Sequence, residues 1–526
     1  MRSNSLIPAV VFVLLSVIFV IAQEKPDAYV PNELLIKVDS SISARHSLEG
    51  LVNDGARVIE KLGDLGWQRV KIPAGMTVDE AMRQYQKLDG IVAVQPNFYY
   101  HLLATPNDPQ FVSTGMYGLT KISAPQAWDL TTGSSAVVVA DIDTGMRYTH
   151  QDLAANAWIN TGEMPIANGL DDDNNGFIDD IRGWDFFYND SNPIDDAGGH
   201  GTHTAGTIGA VGNNLLNVVG VNWNVTIMPI KIYSPNGADS TSAMLVNAYT
   251  YIRMMKLRGV NIRVTNNSYG GCGEACGYDQ ATKDALDAMG DAGILNVFAA
   301  GNANVNNDLN PSGAYPGVYT SPSVLAVASS TSTDARSSFS SYGPISVDLA
   351  APGSGVLSTY NTTDSATATL SGTSMATPHT AGAAALLSAY NQNLSVASLK
   401  ATLMNTVDVI TTPTNWSQFV KSGGRLNIFA ALQNQTVCSF NLSSQAITAR
   451  TKGGYYSVNM TAAQNCDYSV KSNVNWIRVS GAGIGGNVVG SGNGTVTFRV
   501  GFNPGISRTG TVTIAGQTVT VTQSRN

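Results

Sequence analysis

The stretch Ala136-Val137-Val138-Val139-Ala140-Asp141-Ile142-Asp143-Thr144-Gly145 decides the reading of the chain. Its apolar run shows no polar alternation, so it predicts a strand covered on both faces, as in a parallel sheet. The strand ends in carboxylates, and open α/β sheets carry their sites at the C-terminal ends of such strands. Runs of the same kind recur at Val225–Ile230, Val260–Val264, Ile294–Phe298 and Val324–Val327, with helical stretches between them. The expected fold for residues 137–432 is therefore α/β, a parallel sheet with helices on both faces.

Three further motifs carry reactive groups. His200-Gly201-Thr202-His203-Thr204-Ala205-Gly206 places histidine at the mouth of an Ala/Gly-rich helix. Phe298-Ala299-Ala300-Gly301-Asn302 ends a strand with a side-chain amide, and Ser371-Gly372-Thr373-Ser374-Met375-Ala376 opens a small-residue helix with a hydroxyl beside its first amides. Acyl transfer needs this set. A hydroxyl becomes nucleophilic when a neutral imidazole takes its proton, a carboxylate fixes the imidazole, and donors hold the oxyanion. Each motif alone has a plain structural reading, as a helix cap or a backbone hydrogen bond. Their joint occurrence on strand ends and helix starts does not.

The chain has 526 residues, 43% hydrophobic and only 13% charged, with a net charge of −8. This is enough apolar content for several cores and excludes a disordered chain. The acidic balance, pI near 5.2, argues against nucleic acid as a partner. Arg2 precedes an apolar run from Leu6 to Ala22, short for a membrane span, which reads as a signal peptide over residues 1–22. No later stretch is long and apolar enough to cross a bilayer, so the expectation is export, with no membrane association after signal removal. Residues 28–100 carry a β-α-β-α-β pattern: strands at Leu34–Val38, Trp67–Ile72 and Ile91–Gln95, helices from about Ser43 and from Thr77. From Gln435 onward the composition turns to alternating Thr, Val, Ser and Gly, as in Gly494–Val500, which predicts an all-β sandwich over residues 436–526. The four cysteines fall into two local pairs, Cys272 with Cys276 and Cys438 with Cys466, open to bridging in an oxidising compartment.

Asp171-Asp172-Asp173-Asn174-Asn175-Gly176-Phe177-Ile178-Asp179-Asp180 spaces oxygens at positions 1, 3 and 5 with Gly at 6, like the first half of an EF-hand loop, though without Glu at 12. Ca2+ is the expected ion, with Asp171, Asp173, Asn175, Phe177 and Asp180 as candidate ligands. Hard oxygen donors without paired Cys or His disfavour zinc. The alternative is a solvated acidic loop.

Taken together, the motifs resemble the subtilisin family (subtilases) of serine endopeptidases, in pattern the thermitase-like group, over residues 28–432. The resemblance implies Ser374 as nucleophile, His200 rather than His203 as base, Asp143 rather than Asp141 as its partner, and Asn302 with the Ser374 amide as oxyanion hole. It implies an inhibitory propeptide over 23–103, acting as an intramolecular partner, with autocleavage near Leu103-Ala104 and a catalytic domain over 104–435. Ser268, Tyr269 and Gly270 resemble the edge strand that pairs with polypeptide substrates. Small Ala299, Ala300, Gly301 and Ala314 would leave an open pocket suited to a large apolar residue before the cut bond. A second calcium site is implied at Asp108, Asp152 and Asn214 with the carbonyls of Val211, Leu216 and Val218, and a third, weaker one at Asp185 and Asp190. Asp141 departs from the pattern, since that position is usually apolar. It shares a strand face with Asp143, so the two carboxylates either raise each other's pKa or Asp141 pairs with a nearby donor. Residues 436–526 resemble a BACON-like or other immunoglobulin-like domain, whose role is left open between substrate, glycan or surface attachment, secretion sorting and spacing. Two competing readings are an adhesin on a dead protease scaffold, which predicts loss of Ser374, His200 or Asn302, and a processing enzyme for basic sites, which the small pocket residues oppose.

Overall fold

A computed structural model describes residues 29–39, 55–99, 104–111, 116–163, 167–234, 240–270, 277–435, 440–462, 466–480 and 488–525. The expected signal peptide, the helix from Ser43, Leu103, Cys272, Cys276 and Cys438 lie outside these residues. The chain forms two compact units that divide between Leu102 and Leu103.

The N-terminal unit is a four-stranded antiparallel sheet in which Tyr29–Val38 lies between Trp67–Lys71 and Ile91–Phe98. Arg57–Leu62 adds an outer strand that the sequence reading missed. Its residues are half-buried or exposed without period-2 alternation, because an edge strand has little core to face. The helix Val78–Tyr85 starts at Thr77, where Thr77 and Glu80 form a reciprocal capping box. Leu34, Ile36, Val70, Ala81 and Tyr85 form the core of this unit.

In the second unit, a nine-stranded sheet runs in the order Asp408–Val409, Gly424–Arg425, Leu349–Pro352, Val324–Ser330, Leu295–Ala299, Ile262–Asn267, Gly133–Asp143, Asn224–Lys231, Trp184–Asp185. Every pair is parallel except the first. From Gly133–Asp143 the chain goes first to Trp184–Asp185 and then Asn224–Lys231 on one side, and returns to Ile262–Asn267 on the other. Asp143 thus stands at a switch point of the sheet, where a crevice opens beyond the strand ends.

Alternation within this strand decides what its carboxylates face. Val138, Ala140 and Ile142 join one core cluster with Tyr249, Ile252 and Met289. Val137 and Val139 join the opposite cluster, with Ala205, Ile208 and the alanines of the helix Thr373–Tyr390. Asp141 and Asp143 continue the second set, so they point at the helices that carry His200 and Ser374. The Thr373–Tyr390 helix is buried over nearly its whole length, which explains its run of Ala and Gly. Residues 440–525 form sheets of four and five strands that share one core, with Val458, Val496 and Phe498 facing Val512, Val519 and Val521.

Candidate active site

Asp143 is 2% exposed at the end of its strand. Its Oδ1 accepts from the Thr144 amide at 2.7 Å and lies 2.7 Å from His200 Nδ1. Because a carboxylate accepts, this bond places a proton on Nδ1 and leaves Nε2 as the free base. His200 opens the helix His200–Gly209, which packs tightly against the strand end: a Cβ on Gly201 would lie 2.1 Å from the Gly145 carbonyl. That contact explains glycine next to the histidine. The His200 side chain is about one-third exposed. Burial works to lower its pKa, but the charge of Asp143 and its hydrogen bond, the two largest opposing effects, raise it to about 8.

This shift has a direction that kinetics can read. A base must be neutral to accept a proton, so kcat/KM should fall about tenfold per pH unit below the His200 pKa. The expected acid limb has its midpoint near 8; a midpoint at the unperturbed histidine value, about 6.5, would show that Asp143 does not hold the charged form.

Ser374 sits one residue inside its helix. Its Oγ donates to the Ser268 carbonyl at 3.0 Å while Ser268 Oγ donates to the Ser374 carbonyl at 2.9 Å, so strand end and helix start are pinned to each other. Among the described residues no hydrogen bond joins Ser374 to His200, and Nε2 stays open. Catalytic hydrogen bonds of free enzymes are often formed only with substrate. Asn302 Oδ1 accepts from the Thr373 amide and hydroxyl at 2.8 and 3.0 Å, which leaves its Nδ2 as the outward donor. A Cβ on Gly372 would stand 3.5 Å from both Asn302 Nδ2 and the Ser374 amide. Two donors therefore flank one point beside Ser374, an arrangement able to receive developing negative charge.

The other histidine of the motif is placed differently. His203 Nε2 bonds the Val356 and Ala368 carbonyls, and burial pushes its pKa down to about 4, so it serves as a neutral brace. Ser268 is buried, while the Tyr269 ring turns inward onto Phe298 and Tyr233 and its hydroxyl donates to Asn267. The Ser268 and Tyr269 side chains are thus both committed to partners within the protein. Ala300 and Ala314 are 1% and 3% exposed, and Gly301 is half-buried.

The acidic residues fall into three groups. Asp108 and Asp152 are fully buried, and burial raises both carboxyls, with Asp152 adding repulsion at Asp108. Asp108 Oδ1 has no partner; Asp152 accepts from Asn214 Nδ2 and the Val218 amide, and Asn214 Oδ1 accepts from Leu216. In the 171–180 loop, Asp171 and Asp173 converge with Glu163, one oxygen of each within 4.8 Å of the others. Glu163 escaped the sequence reading because it lies upstream of the loop; its Oε2 is buried without a partner. Asn175 and Asp180 belong to a neighbouring network: Asp180 accepts from Tyr251, Asn160 and Asn175, and burial raises it to about 6. Asp185, expected with Asp190 at a third site, lies next to a cationic side chain. The buried Lys231 ammonium stands 3.0 Å from it and also reaches Asp196.

An imidazole fixed by a carboxylate, a hydroxyl at a helix start and a pair of converging amide donors are the parts of a serine hydrolase. The chain belongs to the subtilase family: residues 134–430 match the Peptidase S8 profile, and residues 16–97 match the fervidolysin N-terminal prodomain. It is 38% identical over 330 residues to thermitase of Thermoactinomyces vulgaris, covering 62% of this chain and 99% of that one. An extracellular protease of Xanthomonas campestris is 32% identical over 340 residues, 62% of this chain and 57% of that one. A solved protease from Pseudoalteromonas arctica is 29% identical, covering 63% of this chain and 99% of that one, with a TM-score of 0.49. The protein is thus a subtilisin-like serine protease with a prodomain.

Proposed function

We propose that this protease is a secreted endopeptidase in which Ser374 Oγ attacks the scissile carbonyl as its proton passes to His200 Nε2. Asp143 stabilises the resulting imidazolium, and Asn302 Nδ2 with the Ser374 amide binds the oxyanion. His200 then gives the proton to the leaving amine, and water repeats the sequence on the acyl-enzyme. The observation that carries this reading is the His200–Asp143 bond, together with the paired donors at Gly372. Substrate lies along Ser268–Gly270, and the small residues Ala300, Gly301 and Ala314 admit a large apolar side chain before the cut bond. The retained Ser374, His200 and Asn302 speak against a dead scaffold used for adhesion.

Residues 1–22 act as a signal and 23–103 as an inhibitory propeptide, removed at Leu103-Ala104. Export is supported by the extracellular relative; no helix among the described residues is long and apolar enough to cross a membrane. The buried, disulfide-bonded Cys466 supports a bridge to Cys438. The 436–526 domain serves attachment or spacing.

The acidic groups fit Ca2+ through hard oxygens: Glu163, Asp171 and Asp173 at one site, Asp108 and Asp152 with Asn214 at the other. The orphaned oxygens of Glu163 and Asp108 favour a cation at each. Calcium there would neutralise carboxylates that otherwise repel, holding the loops rather than joining the chemistry. EDTA is therefore expected to lower the melting temperature and shorten the half-life at unchanged initial rate, with recovery on adding Ca2+. Casein digestion with N-terminal sequencing of the secreted product tests the whole proposal. Peptide cleavage and a start at Ala104 are expected; an inactive product, or indifference to EDTA, would refute the corresponding part.

A further inference from the structure

Asp141 is 2% exposed and lies two residues before Asp143 on the same strand face. Its Oδ1 accepts from Asn266 Nδ2 at 2.8 Å, and its Oδ2 lies 2.9 Å from Thr204 Oγ1. No cation pairs with it among the described residues. The titratable groups that face it are Asp143 on its own strand and His200 on the helix, with Asp195 beyond. The adjoining Ile262–Asn267 strand presents Asn266 to it, while Arg263 of that strand is bound to the Gln392 and Leu394 carbonyls and Lys231 of the other neighbouring strand to Asp185 and Asp196.

The hydrogen count is informative. Thr204 has one hydroxyl hydrogen but two oxygens in reach, Asp141 Oδ2 and the Gly201 carbonyl at 3.0 Å. With Asp141 ionised, two buried acceptors would compete for that hydrogen. With a proton on Oδ2, the carboxyl donates to Thr204 and Thr204 donates to Gly201, so both acceptors are satisfied. On the other side Asn266 Nδ2 also reaches Ser268 Oγ at 3.1 Å, and Ser268 holds the Ser374 carbonyl. The chain of bonds runs from the residue after the base to the backbone of the nucleophile.

We propose that Asp141 is a neutral carboxylic acid that acts as a positioning residue, joining the His200 helix through Thr204 to the Ser374 helix through Asn266 and Ser268. Burial first, then the charge of Asp143, pushes its ionisation well above the usual carboxylate range, in keeping with this geometry. The inference rests on the protease reading of the same site. It gives that site a register device made of an uncharged acid where an apolar residue would leave Thr204 and Asn266 each short of a partner.

The experiment compares secreted wild type, Asp141→Asn, Asp141→Val, Thr204→Val and Thr204→Ser on one peptide substrate across pH, with rates normalised to fluorophosphonate-titrated active sites. Asp141→Asn keeps the shape, a donor and an acceptor but cannot ionise. It should retain kcat within about threefold and leave the acid limb in place, whereas Asp141→Val should lower kcat by about 10–10²-fold at similar KM, the scale of a misplaced catalytic group. Thr204→Val should fall between them, and Thr204→Ser should restore wild-type values. If Asp141→Asn moves the acid limb to lower pH, Asp141 carries a charge that had been raising the pKa of His200, and the proposal fails. It also fails if Asp141→Val leaves kcat unchanged, or if Thr204→Val does so where the Asp141 variants do not fold. A wild type without peptidase activity would instead overturn the protease reading itself.

Discussion

Ser374→Ala is expected to lower kcat for peptide hydrolysis by about 10⁶-fold, the scale known for nucleophile loss in subtilisin and carried over here. The reason lies in how the parts depend on each other. His200 Nε2 has work only while a hydroxyl proton is present to accept, and Asp143 matters only through the charge that His200 acquires. His200→Ala should therefore cost about as much as Ser374→Ala, and the double variant no more than either, because each change disables one unit. A residual rate above the uncatalysed reaction should persist in all three, since the paired donors at Gly372 are untouched. The measurement is kcat on a chromogenic peptide after separate purification of each protein. If the prodomain is removed by the enzyme's own chemistry, these variants should also accumulate at precursor size. Additive losses in the double variant would contradict the single-unit account.

Asn302→Leu is expected to lower kcat by about 10²–10³-fold with little change in KM, a magnitude taken from the corresponding asparagine of subtilisin. Asn302 Oδ1 is already committed to the Thr373 amide and hydroxyl, so the side chain cannot rotate freely and its Nδ2 is aimed before substrate arrives. Preorganisation of this kind acts on the charge that develops in the transition state, hence on kcat. Leucine keeps the volume and removes the donor. A rise in KM with kcat intact would mean that Asn302 binds the ground state, which contradicts its assignment.

The strand Gly133–Asp143 was legible because a doubly covered strand needs an unbroken apolar run, and the four motifs because each marks a strand end or helix start. Other features lie in contacts that no local pattern carries. Arg57–Leu62 pairs at a sheet edge with little burial, so hydrophobic periodicity had nothing to report. Glu163 joins Asp171 and Asp173 only once the chain has folded back. Lys231, within an apolar strand, gave no sign that Asp185 would lie beside it on the neighbouring strand. The oddity of Asp141 was visible from its neighbours in sequence, but its partners Thr204 and Asn266 belong to different elements and required the structure. The turned-in ring of Tyr269 likewise shows that an edge-strand motif specifies backbone, while the packing beneath it decides the side chain.

The most direct test of the central claim is covalent labelling of the mature enzyme with a fluorophosphonate, followed by peptide mapping. The expected result is one adduct per molecule, located on Ser374, forming in step with loss of activity and slowing below the His200 pKa near 8. An adduct on another residue, or full inactivation with Ser374 unmodified, would contradict the account.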